Sequence, residues 1–190
     1  MSTPTRRTFI QAGLVGATAL AIGGLGLGLR ATVYRAPAMP LQALSPRGFS
    51  VVAALADRFF DYGGDGLPTA AEVQVAELVD AYLATAHPAV TVEIEQALFL
   101  LENAAAGALL EGRFTTFTGS SPAVQDAILQ GWAGASIPIF RKAYRGLHAL
   151  LNGVYWGDAR TYAAIGYPGP PPLGAAAVQP VPTSIAPEPR

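Results

Sequence analysis

Glu95 and Glu102 stand seven residues apart, so on a helix they share one face and could pair. Paired carboxylates do general acid–base work when burial or a neighbour splits their pKa values; on a solvated face they do none. The only histidines are His87 and His148, on different predicted elements. Neither has an acidic residue at the i+3 or i+4 spacing a helical metal site uses. His87 falls at a helix end, and His148 shares a face with Lys142 and Arg145, which disfavours a bound cation. Gly134-Ala135-Ser136-Ile137-Pro138 lacks the nucleophile-elbow pattern, and with no cysteine there is no thiol nucleophile, thiolate metal site or iron–sulfur cluster. The acidic, glycine-rich stretch Asp61-Tyr62-Gly63-Gly64-Asp65-Gly66 lacks the alternating oxygen ligands and terminal Glu of an EF-hand and reads as a loop. The residues therefore predict no catalytic, cofactor or metal site. Two surface features remain. Arg141, Lys142 and Arg145 form a small basic patch, suited to an acidic partner or merely solvated. Tyr155, Trp156, Tyr162 and Tyr167 cluster beside Gly and Pro; buried, they would pin the C-terminal segment to the body, and exposed, they would suit an interface.

Four elements must position these groups, and a fifth carries the aromatic cluster. Ser45-Pro46 sets an N-cap and a proline at the first helical position, with Phe49, Val52, Ala56 and Phe59 as a buried stripe. Thr69 and Glu72 make a capping box for a second helix, faced by Val75, Leu78, Val79, Tyr82 and Ala86 and broken at His87-Pro88. A third helix, from about Ala89 to Leu110, is apolar over much of its circumference: Ile94, Ala97, Leu98 and Leu101 form the main stripe, with Phe99 and Leu100 partly outside it. Such a helix is central in a bundle, or is covered by another chain. Ser121-Pro122 repeats the first cap signal, and Pro138 predicts a kink or break. After it, Phe140, Ala143, Tyr144, Leu147, Leu150, Leu151 and Val154 mark an amphipathic helix, and Asp158 caps a short one. Gly166 to Pro172 is a rigid exit, followed by a Pro/Ala tail without periodicity. No run alternates as a strand does. The expected fold is all-α, an irregular bundle of five to six helices over 39–172, preceded by a signal segment (1–38) with Ala36–Leu44 bridging as a linker, and followed by a disordered tail (173–190).

The signal is read from Thr5-Arg6-Arg7-Thr8-Phe9-Ile10-Gln11, then a glycine-rich apolar run from Ala12 to Leu29, then small residues at Ala36-Pro37-Ala38. Adjacent arginines before Phe9 and Ile10 fit the twin-arginine export type, so Arg6, Arg7, Phe9 and Ile10 are the predicted export-signal residues. The run sits at the lower length limit for a membrane span, which leaves an uncleaved anchor as the other reading. Gly23-Gly24-Leu25-Gly26-Leu27-Gly28 is no phosphate loop, because no strand precedes it. Arg6, Arg7, Arg30 and Arg35 are 4 of the 12 basic residues, and all 13 acids lie after them; the remainder has 8 basic residues and a net charge of −5. That balance disfavours nucleic acid. Charged residues are only 13% of the chain against 51% hydrophobic, so some of the exterior is expected to be covered by a partner.

Several motifs then occur in a telling order. Leu44-Ser45-Pro46 opens a helix that ends in the acidic glycine loop. Pro68-Thr69-Ala70-Ala71-Glu72-Val73 is followed by Val79-Asp80. Arg113-Phe114 precedes a Ser-Pro-capped helix, and Tyr155-Trp156 leads to Ile165-Gly166-Tyr167-Pro168-Gly169-Pro170-Pro171. With the leader, the whole resembles the gluconate 2-dehydrogenase subunit 3 family over roughly residues 1 to 172, most specifically in the leader and the Tyr-Pro-Gly-Pro-Pro exit. The resemblance implies a non-catalytic small subunit of a periplasmic flavin-dependent dehydrogenase oxidising sugars, sugar acids or alcohols. In such complexes a glucose–methanol–choline-type large subunit holds FAD, and a cytochrome c subunit carries haem c. The small subunit binds no cofactor; it escorts the folded large subunit through the twin-arginine translocon and stabilises it, in the periplasm or at its membrane. Some members have cysteines in the mature part, so any disulfide role does not carry over to this chain. Leu100, Tyr155, Trp156 and Tyr167 are the expected partner-facing residues. The alternative is a stand-alone exported helical binding or structural protein with no flavin partner.

Overall fold

The computed structural model describes residues 32–62, 66–103 and 115–171. It is all-α: seven α-helices and no strand among the described residues. The helices are α1 (Pro46–Phe59), α2 (Ala70–Val73), α3 (Val75–Thr85), α4 (Pro88–Glu102), α5 (Pro122–Gly134), α6 (Pro138–Trp156) and α7 (Ala159–Tyr162), with a 3-10 turn at Ala163–Ile165. The number exceeds the expected five to six because two of the helices are four-residue turns.

Local chemistry fixes most of the starts. Ser45 Oγ accepts from the Gly48 amide at 2.9 Å, and Pro46 occupies the first turn of α1. Thr69 and Glu72 exchange both bonds of a capping box. His87 caps α4, its Nδ1 accepting from the Ala89 amide at 3.2 Å, with Pro88 following. Ser121 has the extended backbone of a cap but makes no side-chain cap bond, unlike Ser45. Pro138 opens α6 after a full break rather than kinking a continuous helix. At the chain's exit Gly166 adopts φ 67, its amide bonding to Ala163 and that of Tyr167 to Tyr162, a Schellman closure that needs the left-handed residue.

The predicted second helix is divided at Gln74, whose φ of 60 ends α2 and restarts the chain as α3. The break turns Val75, Ala76, Val79, Asp80 and Leu83 inward. It also frees the carbonyls of Glu72 and Val73, and Arg160 from α7 donates to both, held in turn by Asp158.

The central element is α1, not the third predicted helix. Every residue from Gly48 to Ala56 is buried, so the helix is enclosed on all sides and the predicted stripe was too narrow. α3, α4 and α5 pack around it, with α6 laid across α3, α4 and α5. α6 is amphipathic as expected, burying Phe140, Leu147, Leu151 and Tyr155. By contrast α4 buries only Leu98, Leu101 and Glu102 of its 15 residues.

The linker expected over Ala36–Leu44 is docked along the body. The amide of Val33 donates to Thr118 Oγ1 at 2.9 Å and that of Arg35 to Ser50 Oγ at 3.0 Å. Arg35 pairs with Asp57 on α1. Farther along, the amides of Gln42, Ala43 and Leu44 all donate to the buried Asp80 carboxylate, at 2.8, 3.0 and 2.7 Å. Contacts with the body thus reach back to Val33, ahead of the boundary expected at residue 38. Residues 1–31 and 172–190, with the expected signal and tail, lie outside the described residues.

Candidate interaction surface

The side chains singled out for chemistry are spent on holding the fold. Glu95 reaches from α4 to the start of α1, accepting from Ser45 N at 2.7 Å and Ser45 Oγ at 3.2 Å. Gly48 makes room for it: a Cβ there would stand 2.6 Å from Glu95 Oε1. Glu102 is fully buried and accepts from the Thr118 amide at 2.9 Å and from its hydroxyl, which ties the 115–121 loop to the end of α4. The two carboxylates therefore serve different loops and do not form a pair. His148 packs edge-on against Phe59, ring centroids 5.0 Å apart, and stacks on Tyr144 at 5.6 Å. Among the described residues no three His, Cys, Asp or Glu side chains are grouped to hold a metal.

Asp80 entered the sequence reading only within the Val79-Asp80 motif and with no chemical role, though its carboxylate receives three backbone amides. Burial pushes its pKa up, but the amides of Gln42, Ala43 and Leu44, in the docked segment 33–44 that forms a strap before α1, outweigh that and hold the group below its ordinary 3.8. A signal was available: Asp80 sits between Val79 and Leu83 on the apolar face, where a carboxylate must find donors. Arg58 behaves similarly on α1, its guanidinium bonded to Asp126 of α5 at 2.9 Å and held charged by that partner.

Of the four residues expected to face a partner, Tyr155 is corrected. It has no exposed surface, stacks on Phe60 with centroids 4.1 Å apart and donates its hydroxyl to the Pro68 carbonyl at 2.6 Å. The cause is the inward face of α6, which carries it into the core. Trp156 is half-buried, its Nε1 donating to Asn152 at 3.0 Å. Tyr167 is exposed and meets Tyr162 edge-to-face. The aromatic cluster thus divides: Tyr155 pins the segment, and Tyr167 lies on the surface.

Leu100 lies elsewhere, in a cleft of about 470 Å³ between α4 and α6. The cleft spans the first half of α6, and Trp156 stands ten residues beyond its last lining residue, Gly146, about 15 Å along the axis at helical rise. The four expected residues do not form one patch. Small side chains, Ala97, Ala143 and Gly146, lie along the cleft, with Phe99, Leu100 and Ile139 beside them. Phe99 is 53% exposed and Ile139 55%, a large apolar exposure for neighbouring positions. Phe99 is braced from behind by Arg47, whose guanidinium carbon is 5.0 Å from the ring centroid. The Arg47 Nε and Nη2 atoms are buried and make no hydrogen bond. Val92, on the same side of α4 as Phe99, is also exposed. Of the two readings for an all-round apolar helix, central or covered by another chain, the central one does not hold: among the described residues the enclosed helix is α1, and α4 keeps exposed apolar side chains.

Arg6, Arg7, Phe9 and Ile10 lie outside the described residues, and no described helix is long and apolar enough to cross a membrane. The chain matches no family model, no curated protein and no solved structure. The likeness to the gluconate 2-dehydrogenase subunit 3 family therefore rests on the quoted motifs alone.

Proposed function

We propose that this chain is a non-catalytic small subunit of a periplasmic flavin-dependent dehydrogenase complex. It escorts a glucose–methanol–choline-type large subunit, which carries FAD, through the twin-arginine translocon and then stabilises it. A cytochrome c subunit with haem c completes the electron path, and the oxidised substrate is a sugar, sugar acid or alcohol. The observation that carries this reading is the union on one chain of the Arg6-Arg7-Thr8-Phe9-Ile10 leader with the Tyr155-Trp156 to Pro171 exit motif. Two structural features support it. The carboxylates best placed for chemistry, Glu95, Glu102 and Asp80, are engaged by backbone amides, and α4 presents apolar side chains that stand exposed among the described residues.

The test is co-expression of this chain with the flavoprotein subunit, followed by periplasmic fractionation. The proposal expects FAD-bearing large subunit in the periplasm only when this chain is present. Equal export and activity without it would overturn the proposal and favour a stand-alone exported protein.

A further inference from the structure

We propose that the α4–α6 cleft is a receptor groove for one amphipathic helix of a partner polypeptide, with apolar side chains toward Ala97, Ala143 and Gly146 and carboxylates toward Lys142 and Arg145. The inference rests on the accessory-subunit reading only in requiring a polypeptide partner.

The groove has the form that helix-in-groove recognition uses. Helices pack at axial separations of about 8–10 Å, set by the side chains at the contact, and the small Ala97, Ala143 and Gly146 favour close approach. A Cβ built on Gly146 meets nothing within 4 Å, so the space over the groove is open. Phe99 and Ile139 stand exposed beside it, and the Arg47 contact holds the Phe99 ring ready rather than leaving it to reorganise on binding.

Charge selects the occupant. α6 contains Arg141, Lys142, Arg145 and His148 and no acidic residue, although the chain beyond the leader has a net charge of −5. The acid opposite is Glu93, which meets Lys142 at 3.5 Å with side chains 68% and 73% exposed, a pair too weakly held to compete with an incoming carboxylate. A second copy of this chain docking by the same face in a two-fold dimer would set one basic flank against the other. A nucleic acid would meet a mainly apolar cleft that carries the Glu93 carboxylate on its wall. An apolar helix with an acidic flank satisfies both the cleft and the charge.

The probe is a synthetic amphipathic peptide of about 18 residues, long enough to hold helical structure when bound. It carries leucines at i, i+4 and i+7 and glutamates on the flanks; a companion has every glutamate replaced by lysine. Fluorescence anisotropy with the full chain should show the acidic peptide binding at least about tenfold more tightly than the basic one. Lys142→Glu should reduce that preference. Gly146→Phe, which fills open space and so leaves the helix intact, should abolish binding. Gly131→Phe, at an equally open position on α5 outside the cleft, should leave it unchanged. Circular dichroism of each variant separates lost binding from lost folding. Absence of binding by the acidic peptide, equal binding of both peptides, or undiminished binding by Gly146→Phe would overturn the proposal. So would a dimer in light scattering that Gly146→Phe dissociates, since a second copy would then be the occupant. None of these outcomes touches the co-expression result, which a different docking face could still produce.

Discussion

Replacing Asp80 by asparagine keeps the shape of the side chain and removes its charge. In the native protein the carboxylate, 3% exposed, receives the amides of Gln42, Ala43 and Leu44 at 2.7–3.0 Å. Hydrogen bonds to a charged group contribute about 1.5–3 kcal/mol each, and three that share one acceptor do not add fully. Asparagine keeps one acceptor oxygen and turns an NH2 group toward the remaining amides. The expected loss is about 3 kcal/mol, a large part of the roughly 5–15 kcal/mol that stabilises a domain. Urea unfolding followed by the fluorescence of Trp132 and Trp156 should show a lower midpoint with an unchanged slope. Amide exchange at Gln42–Leu44 should accelerate more than at α1. The pH dependence has a definite sign. The folded pKa lies below the ordinary 3.8, so the contribution is fully present above that value and is lost as pH falls through the lower folded value. The asparagine variant should lack that acid-side loss. A change below about 0.5 kcal/mol, the level of ordinary surface substitutions, with native exchange rates in the strap, would refute the reasoning.

Tyr155→Phe keeps the stack on Phe60 and deletes the hydroxyl bond to Pro68; it should cost about 1 kcal/mol in urea unfolding, whereas Tyr155→Ala should cost about 3–5. Asp158 is held down to about 2, first by the Arg160 side-chain bond, so its stabilisation is present above its ordinary 3.8 and lost as pH falls towards 2. Asp158→Asn should lower the melting midpoint at pH 7 by about 2–4 °C and by clearly less at pH 2, where about half of the native carboxylate is protonated, as a thermal series in circular dichroism would record.

The parts of the fold legible in sequence are those decided within one helical turn. Ser45-Pro46 and Thr69 with Glu72 place their caps because the donors and acceptors lie two or three residues apart, and His87-Pro88 marks a helix break, where the structure adds a histidine cap. The Gln74 break was not legible: nothing in Glu72-Val73-Gln74-Val75 is a breaker, and its freed carbonyls are met by Arg160, more than eighty residues away in the chain. The partners of Glu95 and Asp80 were hidden for the same reason, since they lie at the head of α1 and in the strap before it. The enclosure of α1 was misread because alanines at Ala53 and Ala54 look neutral in a pattern, yet they let neighbours close over that face. The apolar character of α4 was legible, but which helix is enclosed depended on where α1 lay.

The most direct measurement uses the leader. Arg6→Lys together with Arg7→Lys should be made in this chain alone, with an unaltered flavoprotein subunit that has no export signal of its own. Periplasmic FAD fluorescence is then compared with that of the native pair. An export route read from the paired arginines predicts loss of the flavoprotein from the periplasm together with this chain. A flavoprotein that still reaches the periplasm with the doubled lysine variant would contradict the escort role.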